Sequence, residues 1–582
     1  MSLNGVIELH GGKMVINVHN SDTNQIIPLS VLQLTQFIPG DCVTVDSTGK
    51  IILVERKEQA GIAIVRAFAE PSVAVLYIAN LGPSCPYQPH YYFGDLPLKI
   101  NDRLVIWFNA DGTLSNRGHY SSSPLDDAPC LLKMYSLYKK LADITYLAYD
   151  FQKPLYTKEE IVNHNNLDTF TIDPPTSEDF DDAISVNVEQ NTVYIHIVDI
   201  ASRENEANIS EKAGRRLKER CLTLYLANEH TEHLLDPEIA SDVMSLVANK
   251  ERSVITVKVI LTEQGLVEHY DIYRSTIIVK NRWNYDEVST MISAKTESPA
   301  LRYLIALSNK RSQDVKYHVN LPSIRFHIDT STGLIDSLKV ESTNDESHTL
   351  VATAMILANF VVSKHLKYCQ VSLPNRFHEN LRGLSAPNFV STGNDFVDSF
   401  ILVKRYARAC YAIDKKGHFG LGLTDYVHFT SPMRRYADVI VHKVLGGLML
   451  NDEVMSYEVE WMNTRAIVVR SIQDLYTNWK VVRHINSESS ESSESNQSKM
   501  YQIWITDVRK GGVLWFMPSM SLNGFAHVST IMPKQLWYFD FNNNTLQGNY
   551  TKQIVSVGKQ FNASVESIDS VTFTLNLRIH TD

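Results

Sequence analysis

Short alternating runs of hydrophobic and polar residues occupy both ends of the chain, and such alternation predicts β-strands. Residues 1–60 contain the runs VTVD and IILVER, and residues 61–120 repeat the texture in GIAIVRAF and VAVLYIAN. The segments FIPGDCVTVDSTGKI and KINDRLVIWFNADGTL share a similar spacing of turn residues and strand-like runs, which suggests two related units. Residues 499–582 return to this texture. We therefore expect three small β-barrel domains, a kind of barrel that often binds single strands, although many barrels bind nothing.

The middle of the chain has a different pattern. Residues 121–152 turn helical and predict a helical connector, and residues 153–485 mix strands such as TVYIHIVDI with long helical stretches. Helical spacing predicts helices at 349–366, 398–414, 432–450 and 457–483. The run NSESSESSESNQS, residues 486–498, has nothing that could pack and predicts a solvated loop or linker, with a phosphorylated tract as the alternative. A chain of 582 residues is too long for one core, so several domains are expected.

Composition restricts the class of protein without naming a function. The net charge of −10 argues against a protein that coats nucleic acid indiscriminately, but it permits a local basic channel. The C-terminal segment 499–582 holds seven Lys and Arg against five Asp and Glu, a local charge of +2. Its aromatic residues suit base stacking, although core packing explains them nearly as well. These aromatics are Tyr501, Trp504, Trp515, Phe516 and Phe525.

The N-terminus and the cysteines indicate a location. The start MSLNGVIELHGG lacks the basic and apolar regions of a secretory signal, and the six cysteines are scattered without a CxxC pair. The apolar stretch 349–362 is short and contains Asn359, so we interpret it as a buried helix and not a membrane span. We therefore expect a cytoplasmic protein with no membrane association.

Four aspartates fall in one short connection between two predicted strands. In TFTIDPPTSEDFDDAISV the strand 169–172 is broken by Pro174-Pro175, and a strand resumes at Ala183. Two unit charges about 4 Å apart repel by on the order of 4 kcal/mol, so such carboxylates need a cation or water between them. Oxygen-only ligands favour Mg²⁺ or Mn²⁺. An acidic surface turn is the plainer alternative, whereas a calcium loop of the EF-hand type fails on spacing. The aspartates are Asp173, Asp179, Asp181 and Asp182.

A second group of polar residues lies in YVHFTSPMRRYADVIVHKVLGG. Ser431 as N-cap and Pro432 at the first helical position predict that a helix begins there. Arg434 and Arg435 would then sit in the first turn, where cations are unfavourable because of the helix dipole. A bound anion such as a phosphate would resolve this conflict. The alternative is that Arg434, Asp438 and His442 form a solvated polar stripe.

Together these segments resemble the ribonuclease II/ribonuclease R (RNB) family. The D-x5-D-x-D-D spacing followed by DAISV, and the run GHFGLGL with HFTSPMRRY, are specific to it, and HIVDI, NRWNYDEV and NRFH follow the family's order. The resemblance covers essentially the whole chain. It implies a multidomain fold of three OB-fold barrels flanking a central α+β catalytic domain. The implied domains are cold-shock-like barrels at 1–60 and 61–120, a helical connector at 121–152, the catalytic domain at 153–485, a linker at 486–498 and an OB-fold domain at 499–582.

The resemblance also implies an activity and its residues. It implies a Mg²⁺-dependent 3′→5′ exoribonuclease, with Mn²⁺ as a substitute, that degrades single-stranded RNA processively to 5′-nucleoside monophosphates. The four aspartates would hold metal, with Asp181 also catalytic, and Arg434 and Arg435 would bind the scissile phosphate. Tyr225 and Tyr285 match family positions that stack on bases, and Arg376 and His428 lie in motifs expected to contact RNA. We expect a monomer.

One departure from the family pattern falls on the helix LVATAMILAN. Ala352 and Thr353 stand where the family usually has two glutamates, one of which helps to position the terminal nucleotide. This departure weakly favours a rival function, that of a catalytically inactive RNA-binding protein that keeps the fold. The intact aspartates and arginines oppose that rival. A phosphodiesterase of small nucleotides is a third hypothesis, which the accessory barrels disfavour.

Overall fold

The computed structural model describes most of the chain. The described residues are 3–10, 13–19, 24–28, 37, 41–45, 51–55, 58–81, 88–94, 96–111, 113–139, 150–151, 153–200, 211–312, 322–342, 345–379, 391–405, 408–414, 417–494 and 499–581.

Two antiparallel five-stranded sheets form the N-terminal part. The strands of the first sheet are β1 (Leu3–His10), β2 (Lys13–His19), β3 (Asn24–Pro28), β4 (Cys42–Val45) and β5 (Ile51–Glu55). Those of the second are β6 (Gln59–Glu70), β7 (Val73–Ile78), β8 (His90–Tyr92), β9 (Arg103–Phe108) and β10 (Leu114–Tyr120). Both sheets have the same spatial order when their own strands are counted from one, namely 3-2-1-4-5. This shared topology supports the weak internal repeat that the sequence suggested.

The C-terminal part repeats this topology a third time. Its larger sheet is ordered β28-β27-β26-β33-β34-β29, which is the 3-2-1-4-5 order with one added edge strand. The strands of this sheet are β26 (Met500–Arg509), β27 (Gly512–Met517), β28 (Leu522–His527), β29 (Ile531–Met532), β33 (Gln560–Asp569) and β34 (Thr574–His580). A separate three-stranded sheet is formed by β30 (Trp537–Asp540), β31 (Thr545–Gly548) and β32 (Ile554–Val555). Closure of the three sheets into OB barrels stays a prediction.

A seven-stranded mixed sheet forms the centre of the middle part of the chain, in the order β12-β19-β18-β15-β14-β13-β20. Strands β12 and β20 are parallel to their neighbours, and the other pairs are antiparallel. The strands are β12 (Val162–Asn163), β13 (Thr169–Asp173), β14 (Asp182–Asn187), β15 (Thr192–Val198), β18 (Glu251–Leu261), β19 (Val267–Ile278) and β20 (Asn281–Asn284). All seven residues of β15 are buried, which gives the neighbouring site a rigid support.

Short two-stranded sheets complete the β-structure. They are formed by β11 (Asp150–Phe151) with β25 (Leu448–Met449), β16 (Leu224–Leu226) with β17 (His230–Glu232), β21 (Pro322–Asp329) with β22 (Leu334–Ser342), and β23 (Asn375–Phe377) with β24 (Cys410–Ala412).

Eight α-helices are described. They are α1 (Asp127–Lys139), α2 (Glu211–Arg220), α3 (Tyr285–Ala294), α4 (Pro299–Arg311), α5 (Glu346–Tyr368), α6 (Asp395–Arg405), α7 (Tyr436–Leu445) and α8 (Asp452–Glu494). Helix α5 is long and apolar enough to cross a membrane by composition, but 56% of that apolar window is buried within the protein. Its Leu350, Leu357 and Val361 belong to the central core, as expected for a buried helix.

Three sequence predictions about helices are wrong. The helix predicted at 398–414 ends at Arg405, and β24 follows it. The helix predicted from Pro432 begins at Tyr436, because residues 431–435 form a turn. This turn is held against the segment at Cys221, whose carbonyl accepts the Tyr436 N–H at 2.8 Å. The linker predicted at 486–498 is helical as far as Glu494, since α8 continues into it.

Buried ion pairs link the long helix α8 to helix α1 and to Glu229. Asp127, at the start of α1 and 0% exposed, forms ion pairs with Arg103 of β9 and with Lys480 and Arg483 of α8. Lys480 also pairs with Glu229 at 2.9 Å. Around these charges, Trp479 and Tyr476 share a core with α1 and β6. Charges removed from water in this way are tolerated only while each keeps its partners.

We predict that Asp127→Asn lowers the free energy of unfolding by about 3 kcal/mol, because it leaves the buried Arg103 and Lys480 and the partly buried Arg483 short of a counter-charge. Urea unfolding monitored by circular dichroism measures this change. Glu159→Gln is the matched control, since Glu159 pairs with Lys153 at the surface with 77% of its side chain exposed and should leave the free energy of unfolding nearly unchanged. Equal losses in both variants would contradict a buried network.

Candidate active site

The four aspartates lie in one connection between adjacent strands, as the sequence predicted. Strand β13 ends at Asp173 and β14 begins at Asp182, and the two strands pair through Phe170 and Ile184. Phe180 is 3% exposed and anchors the connection in the core, while its N–H donates to Ser245 Oγ at 3.0 Å. The carboxylates are therefore fixed at the end of a rigid sheet.

Asp181 is the most firmly held of the four aspartates. It is 4% exposed, and its Oδ1 accepts the Met433 N–H at 2.8 Å. Its Oδ2 lies 3.6 Å from Nε of Arg434. Burial raises the pKa of Asp181 well above its ordinary value, whereas Arg434 and the Met433 N–H act against that rise. This side chain thus joins the acidic connection to the turn at 431–435.

The neighbouring carboxyls carry unfavourable electrostatics. Burial, followed by the charges of Asp182 and Asp181, raises the pKa of Asp173 to about 8. Burial likewise raises the pKa of Asp182 to about 6, although Arg434 and Arg435 oppose it. Asp173 Oδ2 is buried and accepts no hydrogen bond. An unbonded carboxylate oxygen in a repulsive cluster is a position that a cation would stabilise.

The chemistry of these side chains fits a hard divalent cation. They offer only oxygen ligands, which Mg²⁺ and Mn²⁺ prefer. Among the residues that the structure describes, no group of three or more His, Cys, Asp or Glu side chains is arranged to hold a metal ion, and this includes the four aspartates as they stand. Metal binding by Asp173, Asp179, Asp181 and Asp182 therefore stays a prediction.

The two arginines have different surroundings. Arg434 is half exposed, and its Nη2 donates to Ser431 Oγ at 3.2 Å. Arg435 is mostly buried, and its Nη2 donates to Asp438 Oδ1 at 2.8 Å. The same Asp438 oxygen accepts the Ser431 N–H. Arg434 is therefore placed to meet an anion beside Asp181, whereas Arg435 braces the turn.

The idea of a solvated polar stripe along this segment is wrong for helix α7. Asp438 and His442 are both 0% exposed, and His442 Nε2 bonds to the Phe429 carbonyl at 2.9 Å. The two arginines do not lie in the first turn of the helix, so the expected conflict with the helix dipole does not arise. Arg435 is the N-cap of α7 with extended backbone (φ −137°, ψ 120°), and Arg434 precedes the helix. The first turn instead carries Asp438, an anion that suits it.

Tyr285 lies beside the aspartates because β20 runs parallel to β13. Asn284 is the register partner of Asp173, and its side chain caps α3 by accepting the Glu287 N–H at 2.8 Å. The next residue is Tyr285, whose ring stacks on His348 with centroids 3.8 Å apart. No pattern in the sequence pointed to His348, because the stack joins residues on α3 and α5 that are distant in the chain.

The structure places Tyr225 at the acidic connection as well. Its side chain is 39% exposed, and its hydroxyl lies 3.5 Å from Asp179 Oδ2, which is the outer limit of a hydrogen bond. An exposed aromatic ring beside the carboxylates suits a base that enters the site.

Arg376 and His428 occupy a separate cluster around Tyr411. The Arg376 guanidinium lies 4.9 Å from the Tyr411 ring centroid, and His428 Nδ1 bonds to the Tyr411 hydroxyl at 2.9 Å. Burial, followed by Arg435 and Arg376, holds the pKa of His428 well below its ordinary value, so its ring is neutral. Contact of either residue with RNA stays a prediction.

The aromatic residues proposed for stacking in the C-terminal domain divide into two groups. Three rings are buried, so the prediction that they stack on bases is wrong; they are Tyr501, Trp515 and Phe516. Phe525 is 42% exposed and Trp504 is half-buried. The same domain exposes other rings, namely Tyr538, Phe541 and Tyr550.

The class of fold is that of ribonuclease R. The chain resembles the solved structure of Mycoplasma genitalium RNase R in complex with ribose methylated single-stranded RNA, with a TM-score of 0.74 and 18% identity over 99% of this chain and 100% of that one. It also resembles yeast Ssd1, described as a pseudonuclease, with a TM-score of 0.67 and 16% identity over 94% of this chain and 81% of that one.

Sequence comparison gives the family. The RNB domain model matches residues 162–450. Ribonuclease R of Chlamydia pneumoniae is 28% identical over 440 residues, which span 69% of this chain and 63% of that relative, less than two thirds of its length. The chain contains an RNB domain and is distantly homologous to ribonuclease R over most of its length, which confirms the resemblance seen in its motifs.

We predict that Asp173→Asn stabilises the metal-free protein, and more at pH 8 than at pH 5. A carboxyl whose folded pKa is raised contributes its stability below its ordinary pKa of 3.8 and loses it as the pH rises towards about 8. We expect a gain of about 1–3 kcal/mol at pH 8 from urea unfolding with a chelator.

The exposed Asp168→Asn is the control for this prediction and should show no such dependence on pH. Mg²⁺ should remove the advantage of Asp173→Asn, because the cation stabilises only the carboxylate. A gain that is equal at both pH values would contradict the electrostatic explanation.

Proposed function

We propose that this protein is a Mg²⁺-dependent hydrolytic 3′→5′ exoribonuclease that degrades single-stranded RNA processively to 5′-nucleoside monophosphates. The observation that carries the proposal is the position of Asp181, buried between the Met433 N–H and Arg434 at the end of an acidic connection. Carboxylates for metal and a half-exposed guanidinium for phosphate stand side by side there, and this pairing is what phosphodiester hydrolysis requires. Membership of the RNB family supports it.

The proposed metal site uses all four aspartates, with Mg²⁺ or a substituting Mn²⁺. When bound, such a cation supplies positive charge to phosphate oxygens and makes water more acidic. The raised pKa values of Asp173 and Asp182 fit ligands whose negative charges are balanced by metal. Asp181, held by the Met433 N–H, would keep its orientation as substrate enters and leaves.

The residues of the chain then orient the RNA. Arg434 would bind the scissile phosphate and stabilise the charge that develops in the transition state. Arg435, bonded to Asp438, would hold the turn that presents Arg434. Tyr285 and Tyr225 would contact the bases nearest the 3′ end. The Tyr225 hydroxyl lies 3.5 Å from Asp179 Oδ2, and Tyr285 is close enough for the charges of Asp182 and Asp173 to raise its pKa, after burial.

The three sheets of shared topology suit a polymeric substrate. We propose that they act as OB-type RNA-binding domains, and the exposed rings Phe525, Tyr538 and Tyr550 provide stacking surfaces on the C-terminal one. The five cysteines that the structure describes are all free thiols, which suits a reducing compartment and a cytoplasmic role in RNA degradation. We propose a monomer that has single-stranded RNA as its partner.

The test of this function is RNA shortening. The full chain is incubated with 5′-labelled single-stranded RNA and Mg²⁺, with and without chelator, beside Asp181→Asn and the exposed control Asp242→Asn. We expect a ladder or a short limit product in the wild-type and control lanes. Chelator and Asp181→Asn should abolish shortening, and Asp181→Asn should still bind RNA in a gel-shift assay.

An inactive RNA-binding protein is the second candidate, favoured by Ala352 and Thr353, which offer no carboxylate where the family has glutamates. Likeness to Ssd1, a protein described as a pseudonuclease, keeps this candidate open. Intact RNA in the wild-type lane, together with tight binding, would establish it and exclude the exonuclease.

We predict that Arg434→Ala reduces kcat by about 100-fold or more, with the Kd for RNA changed by less than about threefold, because its guanidinium acts mainly on transition-state charge. Single-turnover rates and binding isotherms separate the two quantities. Arg302→Ala, which removes an arginine that is 65% exposed, is the control. Equal losses of rate and affinity would mean that Arg434 only anchors RNA.

A further inference from the structure

A cavity of about 230 Å³ lies where the second N-terminal sheet, helix α8 and the C-terminal domain meet. We call it the junction pocket. Asn101 and Arg103 line it from the second sheet, Arg483 lines it from α8, and Ser570 and Phe573 line it from the turn between β33 and β34. Its volume is below the range of roughly 300–1,000 Å³ typical of sites for drug-sized ligands, so it suits a small ion.

The turn between β33 and β34 is packed against α8 at this pocket. Asn478 Nδ2 donates to the Phe573 carbonyl at 3.3 Å, and the Phe573 ring lies 5.5 Å from the ring of Trp479, measured between centroids. The Arg483 guanidinium lies 5.0 Å from the centroid of the same phenylalanine ring. The junction pocket is therefore a preformed gap between packed elements.

The ion-pair network at the junction pocket has an excess of positive charge. Its cations are Arg103, Lys480 and Arg483, and they share two carboxylates, Asp127 and Glu229. Burial lowers the pKa of Arg483, an effect that Asp127 opposes and Arg103 reinforces. None of the described lining residues is acidic. A cation that is removed from water without a full counter-charge favours a bound anion.

Two polar atoms at the junction pocket lack hydrogen-bond partners. Arg483 Nη2 donates to the Ser122 carbonyl at 2.9 Å and to Asp127 Oδ1 at 3.2 Å, but the buried Nε of this arginine has no acceptor. Asn101 Oδ1 is also buried and unbonded. A half-turn of its amide would present an N–H donor in place of the oxygen. Buried polar atoms without partners commonly mark a position for water or an ion.

We propose that the junction pocket binds a small oxyanion, inorganic phosphate, between the guanidinium of Arg483 and the amide of Asn101, with the Ser570 hydroxyl as a further donor. The bound ion would contact all three elements and stabilise their packing, because it supplies acceptors and negative charge to each. The site needs neither RNA nor a metal and does not depend on the proposed function. The backbone of RNA carries the same phosphate chemistry, so the test includes RNA.

Thermal unfolding of the full chain in increasing phosphate tests this proposal, with chelator present and ionic strength held constant with sodium chloride. Asn101→Asp and Ser570→Asp each add a carboxylate to the pocket. Aspartate tolerates the left-handed backbone of Asn101 (φ 71°), and Ser570 is exposed, so folding should survive. Asn544→Asp is the matched control, because Asn544 is exposed, has a left-handed backbone (φ 50°) and does not line the pocket.

We expect phosphate to raise the Tm of the wild-type protein in a saturable manner, with a Kd on the order of 1 mM. Asn101→Asp and Ser570→Asp should each weaken binding by about tenfold or more, because a carboxylate repels the ion. Asn544→Asp should leave the Kd within about twofold. Arg434→Ala should do the same, since Arg434 belongs to the candidate active site and not to this pocket.

An unchanged Tm in phosphate would overturn the proposal. A linear rise that is equal in every variant would also overturn it, because phosphate stabilises proteins in general through its exclusion from their surface. Gel-shift titration with single-stranded RNA distinguishes the two sources of phosphate. Asn101→Asp and Ser570→Asp should leave the Kd for RNA within about twofold. A large loss of RNA affinity in both variants would assign the pocket to the RNA backbone and overturn a site for the free ion.

Discussion

The contact between Asp181 and the turn at 431–435 is the interaction on which the site depends. A single buried carboxylate accepts the Met433 N–H and lies beside Arg434, and it thereby joins two segments separated by 252 residues. The sheet fixes one side of this contact through β14, whose Asp182 pairs with Ile197 of β15. Helix α7 fixes the other side through Asp438, which holds both Ser431 and Arg435. Neither side of this contact can therefore move without the other.

This arrangement has a cost in stability. Desolvated carboxyls with raised pKa values, such as Asp173 and Asp182, destabilise the ionised fold until a cation is bound. The remainder of the molecule must offset that cost. The core of the central sheet and the ion pairs between α8, α1 and β9 provide rigid support around the site. Local electrostatic strain at a rigid support is the usual physical condition of a site prepared for a charged substrate.

Much of the fold could be predicted because it follows from local periodicity. The alternation of hydrophobic and polar residues around TFTID and DAISV predicted β13 and β14 almost to the residue. The similar spacing of turn residues in the first two sheets suggested the strand order that they share. Predictions failed where a distant partner decided the backbone. Ser431-Pro432 has the chemistry of a helix start, yet residues 431–435 form a turn that hydrogen-bonds to residues 221–223, and the helix begins only at Tyr436. The polar run after Ile485 stays helical to Glu494 because it continues the packed helix α8.

The sequence by itself determined which residues could do chemistry, because the type and spacing of side chains limit what ions and phosphates they can hold. Type and spacing pointed to the four aspartates and the two arginines, and the resemblance to the RNB family added Tyr285. Only the tertiary structure divided the arginines into one half-exposed and one bonded to Asp438, and stacked Tyr285 on His348. Burial, stacking and electrostatic coupling depend on distances between remote segments, and the order of residues along the chain does not contain those distances.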